Sequence, residues 1–191
     1  MSTTRGTERR SRATVLRRHG VRALTAGAAL AASLIAVAGP AHATTNVGVS
    51  GAVLQITSGG VSDDLLVSQV GGRLVVRNNG DLVIPAAPCV AVAKNEAVCP
   101  AAGITTISAN TAAGDDTLRN RTTLRSRVVL GPGADMFIGG LDTDMASGDD
   151  GDDRLAGLAG NDVLLGGAGT DSANGGDGVD KCDAEILTDC E

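Results

Sequence analysis

Apolar positions along this chain come in short runs, and no stretch of a dozen residues keeps the three-to-four spacing of an amphipathic helix. Between residues 46 and 129 the runs are Ala52-Val53-Leu54-Gln55-Ile56, Leu65-Leu66-Val67, Arg73-Leu74-Val75-Val76-Arg77 and Leu82-Val83-Ile84, with Ile104–Ile107 and Val128–Leu130 further on. Gly59-Gly60, Gly71-Gly72 and Asn78-Asn79-Gly80 punctuate them, the pattern of strands separated by turns. Gly71-Gly72 and Asn79-Gly80 are the predicted hairpin turns. From Leu130 the spacing changes: single apolar residues recur every ninth position within a Gly- and Asp-rich background. The segment before Thr44 is different again, with a basic stretch, the apolar run Val21–Ala38, and Ala41-His42-Ala43. That order is a secretory signal peptide. A membrane anchor over the same run is the weaker reading, because its many Ala and Gly put it at the short, weakly apolar limit for a span.

The nine-residue spacing is regular. From Leu130 to Asp183 the chain reads LGPGADMFI, GGLDTDMAS, GDDGDDRLA, GLAGNDVLL, GGAGTDSAN and GGDGVDKCD without insertion. The sixth slot is always Asp: Asp135, Asp144, Asp153, Asp162, Asp171 and Asp180. The fourth is Gly133, Gly151, Gly160, Gly169 or Gly178, with Asp142 the exception. The eighth holds Phe137, Ala146, Leu155, Leu164, Ala173 and Cys182. This is the G-G-x-G-x-D-x-U-x nonapeptide. Upstream, Thr111–Arg119 fits the same slots through Gly114, Asp116 and Leu118, and a ten-residue unit, Asn120–Val129, separates it from the regular frame. Asp63-Asp64 and Asp115-Asp116 are otherwise expected as solvated turn residues.

At these residues the chain resembles the hemolysin-type calcium-binding repeat (RTX) proteins. Its first half, with the Cys89…Cys99 segment and Gly114-Asp115-Asp116-Thr117-Leu118, looks like small exported actinobacterial members of that group. The resemblance implies an all-β chain ending in a parallel β-roll. The β-rich region before the roll would either continue it or form a sheet domain of its own. Three segments result: a signal peptide over residues 1–43, a β-rich region over 44–129, and a calcium-binding roll over 130–191. Two nonapeptides make one coil, so turns on the same side recur with every second unit. One edge then carries Asp135, Asp153 and Asp171, the other Asp144, Asp162 and Asp180. Ca2+ takes six to eight oxygens from carboxylates and carbonyls. Adjacent coils, about 4.8 Å apart, let one ion bridge two turns. The predicted ligands are these six aspartates with turn carbonyls near Gly133, Gly140, Gly151, Gly160, Gly167, Gly169, Gly176 and Gly178. Bounded pairs allow four sites: 135/153, 153/171, 144/162 and 162/180. Leu158 in a second-glycine slot is expected to be strained if its φ is positive.

Charge sharpens this picture. From Thr44 onward there are 21 acidic and 9 basic side chains, and residues 130–191 alone hold 15 acidic against 2 basic. Such a chain repels phosphate backbones, so cations rather than nucleic acid are the expected partners. The meagre eighth-slot core and the mutual repulsion predict a roll that is disordered until calcium binds. Both histidines, His19 and His42, fall within the signal segment, which leaves no Ser-His-Asp, Cys-His or zinc arrangement and points to a protein that is not an enzyme. Export favours disulfides. Four cysteines allow three connectivities, of which proximity favours Cys89–Cys99 and Cys182–Cys190. The function read from the sequence is an extracellular, non-enzymatic calcium-binding protein, with no membrane contact after signal cleavage. The alternative is a calcium-stabilised surface, matrix or adhesion protein with a cell-wall or matrix partner.

Overall fold

The computed structural model describes residues 44–191, and the export signal predicted over residues 1–43 lies outside the described residues. These residues hold seventeen strands and no helix. In chain order they are β1 (Thr44–Ser50), β2 (Val53–Thr57), β3 (Asp64–Val70), β4 (Arg73–Asn78), β5 (Leu82–Pro85), β6 (Val90–Ala93), β7 (Glu96–Pro100), β8 (Thr106–Asn110) and β9 (Thr117–Arg121). There follow β10 (Arg125–Val129), β11 (Met136–Ile138), β12 (Asp144–Asp150), β13 (Arg154–Ala159), β14 (Val163–Ala168), β15 (Ser172–Asp177), β16 (Lys181–Asp183) and β17 (Ile186–Thr188).

They form two sheets. One runs β16-β14-β12-β10-β8-β2-β1-β5 and the other β17-β15-β13-β11-β9-β3-β4-β7-β6. From β8 and β9 onward, successive strands alternate between the sheets and every pair is parallel, the arrangement of a β-roll. The coil length can be read from the register. Met145 lies beside Val163, and Val163 beside Lys181. Arg154 lies beside Ser172. Each of these offsets equals two nonapeptides. From Thr117 to Met136, and from Thr106 to Arg125, the offset is longer by the extra residue of the Asn120–Val129 unit.

The pairing crosses Val129–Leu130 in both sheets, since β10 pairs with β8 and β12, and β11 with β9 and β13. Strands β2 and β3 form a further coil, but their partners β8 and β9 come only after a long excursion of the chain: Val53 lies beside Thr106, and Asp64 beside Thr117. The intervening chain leaves as β4 to β7, of which β4, β6 and β7 pair antiparallel and β5 pairs parallel with β1, and with β1 it covers the amino-terminal end of the roll. Gly71-Gly72 makes the β3–β4 hairpin, with φ of +56° and +73° at its two turn residues. Asn79-Gly80 is not a hairpin turn. It carries the chain out of one sheet into β5 of the other, because Val83 and Ile84 pair with β1 rather than back onto β4.

Burial alternates along the strands, so each sheet gives one face to a shared interior. The core is rich at the amino-terminal end, with Leu54, Ile56, Leu65, Val67, Leu74, Val76, Ile107 and Leu118 all buried. It thins to Phe137, Ala146, Leu155, Leu164 and Ala173 in the nonapeptide coils, the eighth-slot residues in sequence order. Two disulfides, Cys89–Cys99 and Cys182–Cys190, close opposite ends, and no cysteine is left unpaired among the described residues. The first links the β6–β7 hairpin into the core, where both its residues are buried.

Candidate metal centre

Strands begin at the seventh slot, or at the sixth in β12, and β12 to β15 run on into the third slot of the next unit, so each turn closes just before its strand. The sixth-slot aspartate therefore stands at the corner of the coil with its side chain directed inward, and all six are buried. They form two columns. On one edge the backbone N–H of Asp135 donates to Asp153 Oδ1 at 2.8 Å, and that of Asp153 to Asp171 Oδ1 at 2.9 Å. On the other, Asp144 N–H donates to Asp162 Oδ1, and Asp162 N–H to Asp180 Oδ1, both at 2.7 Å. Each carboxylate thus leans toward the preceding coil and spends one oxygen on its amide.

The second oxygen tells the rest. Oδ2 of Asp135, Asp153, Asp162, Asp171 and Asp180 is inaccessible to solvent and accepts no hydrogen bond. A buried, unpaired carboxylate oxygen is costly and calls for a proton or a cation. The first-slot glycine of the same unit faces it. A Cβ added at Gly148, Gly157, Gly166 or Gly175 would fall onto Oδ2 of Asp153, Asp162, Asp171 or Asp180 respectively. Across the gap lies a carbonyl of the next coil: Gly166 O opposite Gly148, Gly175 O opposite Gly157, and Asp189 O opposite Gly175. These are oxygen-lined cradles that exist because glycine has no side chain: carboxylate and carbonyl oxygens take the place of its Cβ. No three His, Cys, Asp or Glu side chains converge on one point among the described residues, so backbone carbonyls must complete any ligand set.

Asp144 stands apart. Its Oδ2 accepts the N–H of Gly140 at 2.6 Å. Here Asp142 replaces the fourth-slot glycine and its carboxylate takes the N–H of Thr143 at 2.8 Å, giving a turn of different shape. In the second slot, Gly131, Gly167 and Gly176 have positive φ, and so do Asp149 (+80°) and Leu158 (+78°). Leu158 is therefore held in the left-handed region that its sequence position warned of.

The one-edge column is longer than the regular frame. Asp116 N–H donates to Asp135 Oδ1 and Asp63 N–H to Asp116 Oδ1, both at 2.7 Å, and Oδ2 of each is again buried and unpaired. Neither is the solvated turn residue expected of it, because the coil that β2 and β3 build puts Asp63 at the same corner. Their neighbours Asp64 and Asp115 do reach solvent. At the far end Glu185 Oε2 accepts the N–H of Asp171 at 2.8 Å, where a further aspartate would stand in a longer roll. Fifth-slot residues, which the sequence reading passed over, bond the opposite way. Asp152 accepts from Thr170 N–H and Asn161 from Val179 N–H, each one coil on. An Asp or Asn directly before the sixth-slot Asp was the available signal.

Burial dominates the electrostatics. It pushes Asp135 up to about 7, helped by Asp116 and Asp153, and Asp162 up to about 6. Burial also raises Asp63 to about 7, and it raises Asp116, Asp144 and Asp153.

Residues 147–182 match the family described as RTX calcium-binding nonapeptide repeat (4 copies). Over this stretch the chain is similar to RTX repeats, and the ion such repeats bind is Ca2+. It covers Asp153, Asp162, Asp171 and Asp180, the aspartates facing the glycine cradles. Comparison with curated proteins and with solved structures found no match.

Proposed function

We propose that the chain is an exported, non-enzymatic calcium-binding protein whose carboxyl-terminal coils are held together by Ca2+ along two carboxylate columns. The observation that carries this reading is the set of buried Oδ2 atoms without partners, of which those of Asp153, Asp162, Asp171 and Asp180 lie opposite a glycine, with a carbonyl beside Gly148, Gly157 and Gly175. In the proposed sites, Oδ2 of Asp153, Asp162, Asp171 and Asp180 and carbonyls such as those of Gly166, Gly175 and Asp189 are ligands. The shell is completed by other turn carbonyls, and Asp135 and Asp144 continue the columns above. A bound Ca2+ neutralises the carboxylates and ties successive coils, which contributes directly to folding. Outside a cell, calcium is plentiful enough to fill even sites of millimolar-range affinity. The two disulfides fit an oxidising compartment. Among the described residues no helix is long and apolar enough to cross a membrane.

Isothermal titration of residues 44–191 with Ca2+ tests the proposal. Saturable uptake of several ions per chain, accompanied by a gain in β circular dichroism, is expected. No binding at millimolar Ca2+ would overturn it.

A further inference from the structure

The cradle has one variable wall. It is the residue five positions before each column aspartate, and its identity changes along the roll. Before Asp153, Asp162, Asp171 and Asp180 stand Gly148, Gly157, Gly166 and Gly175, where a Cβ would strike Oδ2. Before Asp135 stands Leu130, wholly buried. Before Asp116 stands Thr111, also wholly buried, whose hydroxyl donates to the carbonyl of Leu130 at 2.7 Å. Leu130 is one coil further on, so this is the carbonyl that Gly166 O and Gly175 O represent in the glycine cradles. Before Asp63 stands Ser58, whose hydroxyl is 3.1 Å from that of Thr45. On the other edge Asp144 has Gly139, but the Gly140 N–H occupies its Oδ2. Above Gly148, therefore, no column aspartate has both a free Oδ2 and a glycine before it: the first slot carries a side chain at Asp63, Asp116 and Asp135, and an amide takes Oδ2 at Asp144.

Resting on the calcium reading above, we infer that this first-slot residue decides which column aspartates take an ion, and that it divides the roll in two. Calcium enters only from Gly148 onward. The coils above it form a scaffold that folds without the ion. Core composition supports the division. Leu54, Ile56, Leu65, Val67, Leu74, Val76, Ile107, Leu118, Leu130 and Phe137 lie above the boundary, and only Leu155, Leu164 and Ala173 below it are buried apolar side chains. Apolar burial stabilises by about 25 cal/mol per Å². The scaffold therefore has the core that the lower coils lack, and it offers β11 and β12 as paired, preformed templates for β13 and β14.

The test joins hydrogen exchange, read by mass spectrometry on residues 44–191, with calcium titration of variants. In chelator, peptides from residues 44–138 should stay protected while those from 151–191 exchange within seconds; Ca2+ should protect the latter. Asp135→Asn and Asp116→Asn should leave the stoichiometry unchanged, whereas Asp153→Asn and Asp162→Asn should each remove one ion. Leu130→Gly, which gives Asp135 the first-slot glycine of the lower coils, should add one. Calcium binding with loss of protection throughout in chelator, or with stoichiometry lowered by Asp135→Asn, would overturn this division and leave the calcium reading standing. No binding by any variant would remove both.

Discussion

At the residue scale, two positions separate strain from ligation. Leu158 holds φ of +78° with its side chain nearly half exposed, so little packing repays the left-handed backbone. That conformation costs a non-glycine residue about 1–2 kcal/mol. Leu158→Gly should therefore raise the midpoint of thermal unfolding in saturating Ca2+, by an amount equivalent to about 1 kcal/mol once the entropy of glycine is set against the relief. Gly176, one coil later, is the reverse case, because a Cβ there would meet the Leu158 carbonyl, and Gly176→Ala should destabilise. Protonation gives the second prediction. Asp63 and Asp135 are raised by burial to about 7 from an ordinary 3.8, so between those values the folded chain holds protons that the unfolded chain has released. Their stabilising contribution is complete below about pH 4 and lost as pH rises through 7. In chelator, the melting temperature should fall steadily from pH 5 to pH 8, and Asp135→Asn should flatten the slope. A melting temperature that rises over that range would contradict this assignment.

At the scale of elements, the two disulfides fasten different parts. Cys89–Cys99 closes the β6–β7 hairpin, and its residues are buried against the β4–β7 excursion that caps the scaffold. Cys182–Cys190 binds β16 to the segment after β17, at the calcium end. Closing so short a loop contributes about 2–3 kcal/mol. Replacing Cys89 and Cys99 by Ala should lower stability in chelator and leave calcium stoichiometry intact. Replacing Cys182 and Cys190 should weaken calcium binding and leave the chelator melt unmoved. Calorimetry of both variants with and without Ca2+ checks the pair. The same scale shows what a sequence can reveal. Nonapeptide strands were legible because each repeats a local rule: glycine turn, corner aspartate, apolar eighth residue. Gly71-Gly72 was legible for the same reason. The role of Asn79-Gly80 was not, since whether a turn returns a strand to its neighbour or sends it to another sheet depends on which edge is vacant. Strands β1, β6 and β7 gave weak apolar signals: β1 has only Val47 and Val49 among polar residues and glycine, β7 is five residues long, and β6 is an edge strand exposed along its whole length.

At the scale of the whole molecule, charge and core run in opposite senses. The scaffold holds most of the large buried side chains and has nearly balanced charge, while residues 130–191 carry 15 acidic side chains against 2 basic ones. That asymmetry is legible in the sequence. What it does to the roll was not, because the burial of Asp63 and Asp116 depends on a coil closed between Asp64 and Thr117, across the whole β4–β7 excursion, a separation no local pattern spans. Given the structure, the carboxyl-terminal coils face two obstacles to folding without calcium: mutual repulsion and a thin core. Salt at physiological strength shortens the range of exposed-charge repulsion to about 8 Å but leaves buried oxygens unpaired. Screening and ligation are therefore separable. Raising NaCl in chelator should leave residues 151–191 unfolded, whereas saturating Ca2+ should fold them. Mg2+ should do so poorly, since it demands strict octahedral geometry and keeps its waters, whereas Ca2+ accepts a flexible set of carboxylate and carbonyl oxygens. Small-angle scattering reads the outcome directly. An unfolded segment of roughly 40 residues has a radius of gyration of roughly 18 Å by itself, so the particle should be visibly larger in chelator, unchanged by NaCl, and compact in Ca2+. Compaction by NaCl alone would mean that repulsion, rather than the unpaired carboxylate oxygens, keeps the coils apart.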